Sequence, residues 1–496
     1  MQKHSFPLTT SGWIPVWDRD AHSVREVGMT EALVRAHRLI LPASGEDGIV
    51  LLRLLATALD AASGPATQDE WDTLWRSETL DADAVTAYMN TWAGHLDLLH
   101  PHQPAFQCAA LNTPNRGASQ LSPGALGGEN SFRMFVSSAS SEHHPGWTPA
   151  QAARHLLVLL AYDVAGIKTA APGDPAAKGG KVYGAKPGAL ARLTHLHLEG
   201  VTLKDTLLLN LPPHPRATAD APVWERPSPG AHVRQRPVQG RLDWLTWPSR
   251  HVRLFTQDTD DGGCMVTGFA VHEGDRLPPD TSFGAAAQDC DPMTVWGLAA
   301  DGETVVPQGR WLDAGGQPKP WAAARTLGPR DTRGSHCAVV DHLADVAERG
   351  ILPTDFSVRA VMSTTQHATV HRSNVSGIVT VLFPLGTAGQ FGSREDRDYL
   401  YGRAVLADTL TERLTACASR ILRLPKADIA TRLALPGLDR SWHRMIQDSI
   451  TAPEAARRSW AHALYEAADV WIEEQPCRFE GGRDQLMAEY RQLCTP

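Results

Sequence analysis

The sequence contains no apolar run of about 18 residues, the length a membrane-crossing helix needs. Its first stretch, MQKHSFPLTTSGWIPVW, has no apolar core long enough for a signal peptide. Cysteine is sparse: seven residues, at 108, 264, 290, 337, 417, 477 and 494, none in a C-x-x-C pair. Scattered and odd in number, they fit a reducing cytoplasm better than a disulfide scaffold or a zinc ribbon. An excess of positive charge is also missing. A net charge of -8 argues against a protein coated in nucleic acid, while leaving room for a local basic groove, because binding follows the field at the site. No H-E-x-x-H and no G-x-S-x-G occurs. Gly179-Gly180-Lys181 invites comparison with a P-loop, but Pro175 occupies its first glycine position and Val182 replaces the magnesium-binding hydroxyl. The preceding element also reads as a helix, so a nucleotide site is rejected. Nothing here makes a positive case for catalysis.

What is present is a globular composition, 42% hydrophobic and 21% charged, in a 496-residue chain, so two or three domains are expected. Residues 166–188, GIKTAAPGDPAAKGGKVYGAKPG, stand out. They hold six glycines, three prolines and four lysines (Lys168, Lys178, Lys181, Lys186) against one acid, Asp174. Glycine permits close backbone approach to a partner, and spaced lysines neutralise phosphates without one fixed geometry. The segment reads as a long basic loop, mobile when the protein is alone. A plain surface loop and a nucleic-acid contact are both open at this point.

Along the chain, Trp13–Val16 reads as extended, Thr30 starts a helix through Arg38, and residues 46–62 form a longer helix with Ile49, Leu52, Leu55 and Leu59 on one side. His37 has the register of a core histidine. Helices in 68–99 are anchored by Trp71, Trp75 and Trp92. After an irregular stretch, Phe132, Arg133 and Phe135 leave a polar loop, as a base-stacking surface or an ordinary strand. A helix over 149–165 leads into the basic loop, and Leu193, Leu196 and Leu198 alternate with His195 and His197 as a strand. Thr202 and Asp205 make a capping box for a helix through Leu211. Residues 242–248, with Val252, Leu254 and 266–271, read as a small antiparallel sheet. Residues 338–349 read as a helix, and two apolar strands, 356–362 and 378–384, flank a polar tip carrying Gln366. Beyond a linker at 385–392, helical spacing of Leu400, Ala407, Leu410, Leu414 and Cys417, then of Trp442, Trp460, Trp471 and Tyr490, predicts a four-helix bundle. The expected fold class is therefore α+β: a large mixed α/β domain over 1–384 with small antiparallel sheets, then the bundle over 393–496.

The order of these features resembles the large-subunit (CasA) family of the type I-E CRISPR Cascade. The matching parts are Trp13-Ile14-Pro15-Val16, Glu31–His37, the His-Pro pair near 102, Phe135-Val136 and the glycine-rich loop. Gly200-x-x-Leu203-x-x-Thr206-x-Leu208-Leu209-Asn210, Trp247-Pro248, the glutamine hairpin and the terminal helices complete it. The resemblance implies a non-enzymatic subunit of an RNA-guided complex in the cytoplasm, with no cofactor. Such a subunit reads the protospacer-adjacent motif (PAM) of double-stranded DNA from the minor groove and helps open the duplex. Its partners are the guide-RNA-bound subunits, the 5′ handle of the guide and a helicase-nuclease. Carried over by residue, Gln366 is the wedge, with Thr365 and His367 beside it. Gly166 and Lys168 are groove contacts, with Lys178, Lys181 and Arg276 as further nucleic-acid contacts. Phe135 and Ser137 touch the handle, the latter where the family often has asparagine. Some members hold a cysteine-ligated metal after the Trp-Pro segment; only Cys264 stands there, so no zinc is expected. Two other classes stay open: a metal-dependent enzyme using His195 and His197, and a purely structural scaffold.

Overall fold

Several helix starts are written locally. Threonine three residues before an acid or amide gives a reciprocal capping box at Thr67/Glu70, Thr148/Gln151 and Thr202/Asp205. They open the helices Gln68–Arg76, Pro149–Tyr162 and Leu203–Leu209. The structure, a computed structural model, describes all residues except 1–3, 43–45, 122–144, 282, 289, 299–304, 308–318, 329–335, 368–374, 427, 430–432, 434, 436, 450, 475–481 and 495–496. Phe135 and Ser137 therefore lie outside the described residues.

The chain divides into two compact units, 1–294 with 363–380, and 295–362 with 381–496. In the first, the helix Glu46–Ser63 buries Ile49, Leu52, Leu55 and Leu59 completely, as its spacing predicts. Its one buried cation, Arg53, meets Asp291 through two hydrogen bonds of 3.0 and 2.9 Å, and Trp244 Nε1 donates to the same carboxylate at 3.1 Å. Paired in this way, the buried charges are satisfied.

The sheet at the centre of this unit joins Arg250–Asp258 to Cys264–Glu273 in antiparallel register, with Arg116–Gly117 on the outer side of the second strand. Residues 242–248 do not belong to it, contrary to the aromatic pattern. Arg241–Leu245 is a short helix, because the distant Asp220 carboxylate accepts from the amides of Leu242 (3.2 Å) and Asp243 (3.0 Å). That carboxylate sits where a side chain on Gly240 would be, 2.2 Å from an added Cβ, so only glycine allows the cap.

The strand His195–Glu199 and the helix Leu203–Leu209 are fastened together by Asn210. Its Oδ1 accepts from Leu198 N (2.9 Å), while its Nδ2 donates to Leu198 O and Thr206 O (both 2.7 Å). The amide thus imitates a neighbouring strand, which gives the Gly200–Asn210 motif a physical meaning. The edge of His195–Glu199 receives Ser357–His367, which lies between it and Val375–Thr387.

The second unit contains the helices Arg394–Leu422, Leu438–Ser449, Pro453–Glu474 and Gly482–Cys494. Leu400, Ala407, Leu410, Leu414 and Cys417 are buried along the first. Trp460 packs edge-on against Trp442 and Trp321, with centroids at 5.1 and 5.8 Å. The fold is therefore mixed helix and sheet with small antiparallel sheets and a helical C-terminal region. The stretch 385–392 is not a linker. The strand runs through Thr387, which caps the helix Ala388–Gly392, and Phe391 is buried. The expected division at this point also moves, since 295–362 belongs with the C-terminal helices. No single helix among the described residues is long and apolar enough to cross a membrane.

Candidate nucleic-acid interface

The basic stretch 166–188 is a two-stranded ribbon rather than an irregular loop. Gly166–Thr169 pairs antiparallel with Lys181–Ala185. At the tip, Lys178 and Lys181 exchange backbone hydrogen bonds of 2.8 and 3.2 Å around Gly179 (φ 56°) and Gly180 (φ 72°). Two consecutive positive φ angles are the geometry of a two-residue I′ hairpin turn, which glycine adopts without steric cost. The tip therefore carries Lys178 and Lys181 as an exposed pair of cations.

The root is built differently. Lys168, on the inner face, has a side chain only 9% exposed, and its Nζ lies 2.7 Å from Asp163 Oδ2. Arg250 reaches the same carboxylate and donates to the backbone oxygens of Ser249 (2.6 Å) and Val164 (2.9 Å). Burial pushes the Asp163 carboxyl up, but Arg250 and Lys168 outweigh it and hold the group at about 2. Burial lowers the Lys168 ammonium despite Asp163. The backbone of Asp163 also receives Gly188 N at 2.9 Å, so one residue holds both ends of the ribbon. Lys168 is a structural cation, not the free groove contact expected of it.

A second fastening lies farther along. The buried Asp174 carboxylate accepts from Val233 N (2.9 Å) and Ala176 N (2.8 Å) and sits 2.8 Å from His272 Nε2. His272 Nδ1 lies 2.8 Å from Thr169 O. Both ring nitrogens lie within hydrogen-bond distance of oxygens, so the imidazole bridges Thr169 to Asp174, and the ribbon's only acid is turned inward. Arg276 also reaches the ribbon, with Nη2 3.3 Å from Tyr183 O. Its guanidinium is engaged with Glu273 at 2.5 Å, so the cation expected to face DNA is already paired.

Gln366 and His367 lie at the end of the strand Ser357–His367, and the tip that follows, 368–374, lies outside the described residues. The strand is longer than expected and carries the glutamine on its last turn of pleat. Thr365 is buried, and its Oγ1 donates to Ala191 O at 3.0 Å, so it supports the strand instead of facing a groove. Ala191 follows the ribbon's exit by three residues, which brings the glutamine strand to the ribbon's base. Gly166 has φ 140°, and a Cβ built there meets nothing within 4 Å, so this half-buried residue leaves room for close approach.

His195 and His197 occupy one face of their strand, with ring centroids 5.3 Å apart. Both are buried, and none of their ring nitrogens is hydrogen-bonded among the described residues. Burial pulls His197 down to about 3 and His195 well below its ordinary value, helped in the latter by His197. Among the described residues no group of three His, Cys, Asp or Glu side chains is placed to hold a metal ion. Sequence reasoning missed Asp163, Arg250, His272 and the outward-facing Ile167 and Tyr183. Only the alternation Ile167/Lys168 and Val182/Tyr183 hinted at the last two.

A profile of the family described as CRISPR-associated protein Cse1 matches residues 7–470. No curated protein matches the sequence. Among solved structures, Cse1 from Thermobifida fusca is 24% identical with a TM-score of 0.77, covering 99% of this chain and 98% of that one. CasA (Cse1) of Thermus thermophilus is 24% identical with a TM-score of 0.71, covering 100% and 98%. A chain of a CRISPR RNA-guided surveillance complex is 20% identical with a TM-score of 0.74, covering 99% of each. At these identities the structural likeness speaks for the fold, while the profile match spans nearly the whole sequence. The chain belongs to the CRISPR-associated protein Cse1 family.

Proposed function

We propose that this chain is the large, non-catalytic subunit of an RNA-guided Cascade complex. It recognises the PAM in double-stranded DNA through the minor groove, helps open the duplex for R-loop formation and supports recruitment of the helicase-nuclease. Its other partners are the guide-bound subunits and the 5′ handle of the guide RNA, reached through Phe135 and Ser137. The observation that carries this reading is the common support of two parts: the strand ending at Gln366 and His367 bonds to Ala191 through Thr365, at the exit of the lysine-tipped ribbon. Of the residues expected to touch DNA, Lys178, Lys181 and the open edge of Gly166 keep that role. Lys168 and Thr365 hold the frame, and Arg276 links it to the ribbon.

Minor-groove edges separate mainly A·T from G·C pairs, which suits permissive reading by backbone and short polar groups. Forcing a side chain into the base stack costs a few kcal/mol, and contacts made by the ribbon offset that cost. Guide pairing then provides the sequence specificity.

The test uses the assembled, guide-loaded complex. Gln366→Ala is expected to weaken binding to an intact target duplex by about tenfold or more, corresponding to roughly 1.4 kcal/mol or more. Binding to the same target with the base pairs beside the motif already unpaired should change little. Equal binding of wild type and variant to the intact duplex overturns the wedge assignment.

A further inference from the structure

The ribbon has an outward face that the basic-loop reading does not use. In its register Gly166 faces Ala185 and Lys168 faces Val182, so Tyr183 and Gly184 together stand opposite Ile167. This is a β-bulge, and Gly184 adopts the positive φ (75°) that such a bulge favours. Bulges re-aim side chains, and here the inner face takes Lys168 and Val182 into the protein while Ile167 and Tyr183 point away. They are 56% and 50% exposed, in a chain that buries most of its large apolar side chains. Lys178, Lys181 and Lys186 of the same segment are exposed as well, and its one acid, Asp174, is buried against His272.

An exposed apolar pair in a segment with three exposed cations and no exposed acid complements a surface whose walls are apolar and whose rims are anionic. The minor groove of double-stranded DNA has that form, with deoxyribose faces between two phosphate rows. We infer that Tyr183 and Ile167 pack against the deoxyribose walls of the minor groove beside the flanking motif, while Lys178 and Lys181 pair with the bordering phosphates. Tyrosine suits this position because its ring presents apolar area and its hydroxyl stays wet at the groove edge. The bulge sets the two side chains opposite each other, so they enter the groove as one wedge-shaped unit. This rests on the reading of the chain as a duplex-recognition subunit.

The experiment measures binding of the guide-loaded complex to a target duplex over a range of salt concentrations. Tyr183→Ala and Ile167→Ser are expected to weaken binding by about tenfold and threefold, with the salt dependence unchanged, because apolar contacts release no counterions. Tyr183→Phe should bind within about twofold of wild type, as the ring carries the contact. Lys178→Ala and Lys181→Ala should instead each flatten the salt slope by about 1. Tyr183→Ala binding like wild type, while the lysine variants lose slope, overturns the inference and leaves duplex recognition standing. If Tyr183→Ala prevents the subunit from joining the complex, the face is a protein contact and the inference again fails. If the lysine variants and Gln366→Ala all bind as wild type, the recognition reading itself falls.

Discussion

The root and the tip of the ribbon use the same residue type for opposite purposes. Lys168 and Lys181 lie in paired strands, in a segment with one composition throughout, yet one is buried on Asp163 and the other is exposed. Strand alternation sends Lys168 inward, and a carboxylate already held by Arg250 makes that burial tolerable. At the tip, the Gly-Gly turn leaves Lys178 and Lys181 exposed, with no such partner among the described residues. A lysine count therefore says little about DNA contact until each ammonium has been traced to its neighbour. The same holds for Arg276, whose charge is matched by Glu273.

The sharpest way to break this contrast is to remove the root's carboxylate. Asp163→Asn leaves Arg250 and Lys168 buried without their counter-charge and should cost about 3–5 kcal/mol of stability, read by chemical denaturation. A loss no larger than that of an exposed lysine variant would mean that the root is not held by charge.

Acid gives a second, smaller test, because the root and the neighbouring histidine strand respond in different pH ranges. Asp163 has a depressed carboxyl, so its contribution is present above the unfolded value and is lost only as pH falls through about 2. His197 is held neutral, down to about 3, so its contribution is present above the unfolded histidine value near 6.5. It declines as pH falls below that, because the unfolded chain takes up the proton first. One such histidine removes about 2 kcal/mol by pH 5. Unfolding at pH 7, 6 and 5 should show this decline in wild type, and His197→Gln should flatten it. An unchanged decline in the variant assigns the acid sensitivity elsewhere.

The smallest effects separate Lys168 from the tip. Lys168→Met keeps the packed stem, removes one of two cations around one carboxylate, and is expected to change stability by less than about 1.5 kcal/mol with no change in the salt slope of DNA binding. Lys178→Ala and Lys181→Ala should leave stability within about 0.5 kcal/mol while moving that slope. If Lys168→Met lowers the slope as they do, the root is accessible to DNA and the contrast fails.

Much of the scaffold was legible because its causes are local. The capping box of Thr202 and Asp205, the buried stripe Ile49, Leu52, Leu55 and Leu59, and the long helix from Arg394 follow from spacing alone. The fold class was legible for the same reason, and the motif order pointed to the family. The misreadings share another cause, which is a partner far away in sequence. Residues 242–248 look like an aromatic strand until Asp220 caps their amides. Thr365 looks like a groove contact until Ala191, 174 residues earlier, accepts its hydroxyl. The 385–392 stretch looks like a linker until Phe391 is seen to be buried.

The sequence by itself determined that 166–188 would be glycine-rich, basic and unable to form a helix, and that a glutamine would stand near the end of an apolar strand. Backbone permissiveness and side-chain charge are properties of the residues themselves. Tertiary structure alone decided which lysines are free. Pairing depends on groups that only folding brings together, with Arg250 87 residues from Asp163 and His272 98 from Asp174. The stretch that reads as a mobile basic loop is thus a ribbon fastened at its root and shoulder, with its cations at the tip and an apolar pair on its open face.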